Sequence, residues 1–145
     1  MTNYFSGRVS KEFNKGNTRL GGIFTSSNRL NLEEHLDYLH TSAYSAGVDF
    51  EQFFADRSYS VSLAAYGSQV NGSEEALIRT QRSAVHFFQR PDASHLKLDS
   101  TLTTLKGYGA NLSFGKYSGN FNFGTFTTLT SPGLELNDLG FLNST

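Results

Sequence analysis

The chain contains no cysteine and no tryptophan, one methionine and two prolines in 145 residues. Without cysteine there is no disulfide framework and no thiolate metal site, a composition compatible with an extracytoplasmic location. Isoleucine occurs only at Ile23 and Ile78, so the aliphatic stock of an ordinary soluble core is thin. No stretch approaches the roughly 18 apolar residues of a membrane-spanning helix. Charge is scarce and balanced: 12 Lys and Arg against 13 Asp and Glu, net −1, with no basic run. That excludes the electrostatic footprint of a nucleic-acid binder. The first residues, Met1-Thr2-Asn3-Tyr4-Phe5-Ser6-Gly7-Arg8, lack the basic and then apolar regions of a secretory signal peptide. For an exported protein, this leads to the expectation that the true N-terminus lies upstream.

Aromatic and small residues fill the gap. Thirteen Phe, seven Tyr and fourteen Gly accompany many Ser, Thr and Asn, while hydrophobic residues reach only 37%. Such a mixture suits short strands whose two faces meet different solvents. Alternation with period two supports this reading. Phe5, Gly7, Val9, Lys11 and Phe13 share one face, opposite Tyr4, Ser6, Arg8, Ser10 and Glu12. After the turn Asn14-Lys15-Gly16-Asn17, Leu20, Gly22 and Phe24 lie opposite Arg19, Gly21, Ile23 and Thr25. Tyr44, Ala46, Val48 and Phe50 oppose Ser45, Gly47, Asp49 and Glu51. Tyr59, Val61, Leu63 and Ala65 oppose Ser60, Ser62, Ala64 and Tyr66.

Six strands are expected: 4–13, 19–26, 43–54, 59–69, 100–117 and 120–130. A two-residue turn at Ser118-Gly119 joins the last two, with Tyr108, Ala110, Leu112 and Phe114 on one face and Tyr117, Phe121 and Phe123 as a girdle near the turn. The intervening loops, 28–42 and 71–99, carry helical signals. Asn31-Leu32-Glu33-Glu34 opens one, and Ser73 is placed as the N-cap of another at Glu74-Glu75-Ala76-Leu77. The fold class predicted is an all-β antiparallel meander forming part of a transmembrane β-barrel, with the whole of 1–145 as one partial domain. Single-chain barrels start at about eight strands, so the remaining strands of the parent barrel are expected from a longer chain.

The ordered segments Leu20-Gly21-Gly22, Phe24-Thr25, Asn28-Arg29, Ala43-Tyr44 and Gly47-Val48-Asp49-Phe50, with Arg57 and Tyr59, are followed by two longer motifs. These are Phe88-Gln89-Arg90-Pro91-Asp92 and Ser131-Pro132-Gly133-Leu134-Glu135-Leu136-Asn137-Asp138-Leu139-Gly140-Phe141. Together they resemble the domain-of-unknown-function β-barrel that lies C-terminal to a carbohydrate-binding family 9-like module in large outer-membrane proteins. The resemblance runs from about Asn3 to Phe141 and covers a middle portion of that barrel. It implies an outer-membrane location, membrane lipid as a partner and a carbohydrate-related context. It supplies no catalytic residues, and the sugar-binding module would lie upstream of Met1.

Four sets of residues merit attention as sites. Arg90 and Asp92, either side of Pro91, have the groups to hold a polar ligand such as a carbohydrate by directed hydrogen bonds, or to pin the long loop to the wall. Glu135 and Asp138, with Asn137, offer oxygens for a ligand or Ca²⁺, but lack the dense spacing of a calcium loop, which favours a rim or plug segment. His35 and His40 are five apart and off a common helical face, and His86 and His95 have no acidic or Cys partner at ligand spacing; no metal site is expected. The pairs Glu33-Glu34 and Glu74-Glu75 are adjacent in sequence, where two carboxyls point apart rather than flank a bound sugar. No nucleophile elbow, phosphate loop or dinucleotide fingerprint occurs, so neither enzyme activity nor a cofactor is expected. The rival to the barrel segment is a soluble β-rich accessory domain of a carbohydrate-active enzyme.

Overall fold

The computed structural model describes residues 1–30, 36–86, 88 and 96–136. Six strands make one antiparallel sheet in chain order: β1 (Thr2–Phe13), β2 (Thr18–Arg29), β3 (His40–Phe54), β4 (Tyr59–Gly72), β5 (Thr104–Lys116) and β6 (Phe123–Thr130). A helix, α1 (Glu74–Arg82), sits between β4 and β5. The all-β meander predicted from alternation is therefore present. Among the described residues the sheet is open: β1 pairs only with β2, and β6 only with β5.

Five of the strands run 12 to 15 residues, against the five or six common in globular domains. Strands β2, β3 and β4 extend past the predicted ends because side-chain hydrogen bonds take over where apolar alternation stops. Tyr44 Oη donates to Asn28 Oδ1 at 2.7 Å, and Arg29 Nη1 donates to the His40 carbonyl at 2.7 Å. Asn71 is bonded both to Ser42 Oγ and to Thr104 Oγ1, at 2.9 Å each. These polar ladders hold β2, β3, β4 and β5 together at one end of the sheet.

The other end carries the tight connections. Four-residue loops join Phe13 to Thr18 and Phe54 to Tyr59, with Asn14, Lys15 and Gly16 left-handed in the first and Ala55, Asp56 and Arg57 in the second. The β5–β6 connection departs from the two-residue turn predicted at Ser118-Gly119. Pairing stops at Lys116 opposite Phe123, because Tyr117 and Ser118 engage the neighbouring loop instead. The Tyr117 amide donates to the Ser58 carbonyl at 2.8 Å, and the Ser58 and Ser118 hydroxyls are 2.8 Å apart. Likewise β5 begins at Thr104 rather than Ser100, since Asp99 closes a local turn by accepting from the Thr101 amide and hydroxyl at 2.9 and 2.7 Å.

The register places every predicted face as the alternation has it. One face carries Val9, Leu20, Phe24, Val48, Leu63, Tyr108, Leu112, Phe123 and Leu129, all exposed; Val9 is 78% and Val48 60% accessible. Aromatic rings gather toward the tight-loop end of this face. Phe54 stacks on Tyr59 at 5.4 Å, and Phe114 lies 6.4 Å from Phe54 and 5.7 Å from Phe123. Toward the opposite end, Phe5 and Phe24 meet at 6.2 Å. The opposite face is mostly small or polar, with Tyr4, Ile23 and Phe126 as its exposed large apolar residues.

The buried core is small and lies on the polar face. Ala43, Val70 and Leu105 form one cross-strand row there, near the long-loop end, and pack under Ala76 and Leu77 of α1. Ser73 caps α1 as predicted, its Oγ accepting from the Ala76 amide at 3.1 Å. Glu74 and Glu75 in the first turn and Arg79 and Arg82 in the last complement the helix dipole. What alternation suggests as a single helical turn is thus a nine-residue helix, stabilised by covering that apolar row.

Candidate functional site

Two arrangements on the polar face bear on function: a buried clasp near α1 and a charged trough toward the tight-loop end. The clasp is built by residues 131–136, a strap that continues from β6 and folds inward. Ser131 prolongs the β5–β6 pairing, its amide donating to the Tyr108 carbonyl at 2.9 Å and its Oγ accepting from the Tyr108 amide at 2.8 Å. The strap then lies directly on Gly107. A Cβ at Gly107 would overlap the backbone of Leu134, and one at Gly133 would overlap the Lys106 carbonyl. Here glycine is required by close backbone approach.

Glu135 is held at the polar face by its amide, which donates to Ser68 Oγ at 2.9 Å. Its carboxylate meets His86 Nε2 at 2.7 Å, with the imidazole fully buried and Glu135 5% exposed. His86 Nδ1 faces the Pro132 carbonyl at 2.8 Å. A carbonyl only accepts, so Nδ1 carries a hydrogen. A second proton lies between Nε2 and the carboxylate, because two lone pairs at that distance would repel. His86 therefore ties the loop after α1 to the strap through both ring nitrogens.

The trough is a row of side chains crossing the sheet: Glu12, Arg19, Glu51, Ser62, Ser113 and Phe126 on β1 to β6 in order. Arg19 bridges Glu12 and Glu51, at 3.1 Å to each. One row further, Arg8 reaches Asp49 at 2.6 Å across the intervening strand. Gly21 permits this, since a Cβ there would stand 2.6 Å from Asp49 Oδ2. Arg8, Arg19, Asp49, Glu51, Ser62, Ser113 and Phe126, with Asn111 and Ala64, line a groove of about 280 Å³. The ion pairs are half-exposed and worth at most about 1 kcal/mol each. What they supply is orientation.

Of the residues singled out from sequence, Glu135 is placed in the clasp, beside a pocket also lined by Tyr38, His40 and Thr80; Arg90, Asp92 and Asp138 lie outside the described residues, as do His35 and His95. His40 bonds Thr80 Oγ1 at 2.7 Å. The sequence reading leaves His86 without an acidic partner, and the structure supplies one, Glu135, 49 residues away. Glu74 and Glu75 open α1 at its N-terminus. Among the described residues no three His, Cys, Asp or Glu converge as metal ligands, and no helix is long and apolar enough to cross a membrane. The Thr101 backbone and side-chain hydrogen bonds hold the Asp99 carboxyl below the ordinary aspartate range. Comparison with protein-family models, curated proteins and solved structures finds no match.

Proposed function

We propose that this chain is a wall segment of an outer-membrane β-barrel, with its apolar face on lipid and its polar face on an aqueous lumen. The role is structural rather than enzymatic, in a barrel that binds or passes carbohydrate-related ligands. The observation carrying this reading is the inverted distribution of apolar residues. Most of the large hydrophobic side chains of the strands lie exposed along one face; the opposite face carries Tyr4, Ile23 and Phe126 among serines, glycines and ion pairs, and the small apolar row under α1. In water such an apolar face would be costly: each large side chain left uncovered forgoes about 1.5–3 kcal/mol of burial. Against hydrocarbon it is stabilising.

Dimensions support the same reading. Tyr44 and Phe54 bound the band on β3, and their ten-residue separation spans about 33 Å along a strand. Tilted about 45°, as barrel strands are, that becomes roughly 25 Å, the height of an outer-membrane apolar band between its aromatic girdles. Tight loops at one end and long connections at the other match the asymmetry of such barrels, which supports a reading with α1 and the strap on the outer side. The remaining strands of a parent barrel would satisfy the open edges of β1 and β6.

Because the chain has no cysteine, single substitutions can report solvent on each face. In liposomes, Val61→Cys, Leu63→Cys and Ala65→Cys should resist a water-soluble maleimide, while Ser62→Cys and Ala64→Cys should react. Equal labelling along β4 would sink the proposal, as would a monomer that stays soluble and unfolds cooperatively without detergent. The latter result favours the accessory-domain alternative.

A further inference from the structure

We infer that the trough crossing the polar face is a binding site for an uncharged, polyhydroxylated chain, an oligosaccharide. The inference rests on the wall reading above, which sets this face against water, and deepens it by naming the class of ligand. The site is defined by a single register row. Arg19 and Glu51 rise at one side, Ser62 and Ser113 form a low floor, and Phe126 rises at the other. Four strand spacings separate Arg19 from Phe126, about 19 Å. That is a trough for an extended ligand.

The chemistry of the lining selects among solutes. Phe126 is 68% exposed at the edge of a row otherwise built of polar residues, an aromatic plane on which the C–H face of a sugar ring can rest. Arg8, Arg19, Asp49 and Glu51 are fixed by their mutual ion pairs, yet each guanidinium keeps N–H donors and each carboxylate keeps lone pairs. A hydroxyl both donates and accepts, so a polyol satisfies both sets without breaking a pair. Ionic ligands fit less well. Two arginines face three carboxylates in this cluster, so an anion meets net repulsion, and a cation must compete with arginines already in place. Asn111 and the Ser62 and Ser113 hydroxyls extend the same donor–acceptor surface along the floor.

The test uses the whole chain refolded in a zwitterionic, sugar-free detergent, with maltohexaose and cellohexaose as probes and citrate and spermine as charged comparators. Saturation-transfer NMR should show transfer from protein to sugar C–H protons for at least one hexasaccharide and none for the comparators. Phe126→Ala should weaken that binding about tenfold, and Phe5→Ala, on the opposite face, should leave it unchanged. No transfer to either sugar from a sample with intact amide protection would overturn the inference. So would equal transfer to citrate or spermine, or an unaffected Phe126→Ala. The maleimide pattern on the same preparation judges the wall reading separately: alternating labelling without sugar transfer removes the site alone, and sugar transfer without alternation removes the wall.

Discussion

At the scale of single residues, position within the two-residue period decides what a side chain tolerates. Leu112 and Asn111 are neighbours on β5, yet one belongs to the apolar band and the other to the trough. Leu112→Arg should destabilise the chain in liposomes by about 2–4 kcal/mol, the cost of a cation facing mid-bilayer hydrocarbon. Asn111→Arg should cost less than about 1 kcal/mol, since its charge stays in water. Urea titration of the reconstituted chain measures both; equal losses would remove the distinction between the faces. Asp99 gives a separate test outside the strands. Its carboxylate is bonded to Thr101 in the folded loop, which holds its pKa down. The contribution is therefore complete above the ordinary aspartate range and is lost as pH falls through the lowered value. The Thr101 amide resonance should titrate below the ordinary aspartate range, and Asp99→Asn should abolish that titration.

Faces were legible in the sequence because counting by two needs no knowledge of partners. Arg8, Asp49 and Glu51 could be assigned to the polar side from alternation alone. Their pairing could not, because it depends on register and on bare Gly21 lying between two strands. Strand ends were less legible for the same reason: Asn28, Ser42 and Asn71 have no apolar alternation, and only their cross-strand hydrogen bonds reveal them as strand.

At the scale of elements, α1 and the strap are what distinguish one end of the sheet from the other. The helix was visible through its Ser73 cap and acidic first turn. The strap was expected to fold as a segment of its own, but its anchor was not legible, since His86 and Glu135 are far apart in the chain and nothing local couples them. Removing one partner of a buried pair leaves the other unsatisfied. His86→Ala should therefore cost about 3–5 kcal/mol or release the strap, and Glu135→Gln, which can still hydrogen-bond, should cost less. Hydrogen exchange at the Leu134 and Glu135 amides reads this directly. Unchanged protection in His86→Ala would show that backbone contact on Gly107 suffices.

At the scale of the whole molecule, the sheet ends in two strands with one neighbour each. In lipid, unpaired backbone groups cost several kcal/mol apiece, so the isolated chain should associate through these edges when reconstituted. Chemical crosslinking in liposomes should trap dimers or larger assemblies. A dispersed monomer whose β1 and β6 amides are fully protected would contradict this.

The strict nearest-neighbour order of the meander has a further consequence. Each strand is bonded only to the strands before and after it in the chain, so no connection threads past another. A hairpin can be duplicated or deleted at either margin without rerouting the rest, and such an architecture grows by pairs of strands as a fence grows by panels. On the barrel reading proposed above, circumference among relatives should vary by even increments, while the stations occupied by the trough and the clasp stay where these six strands put them.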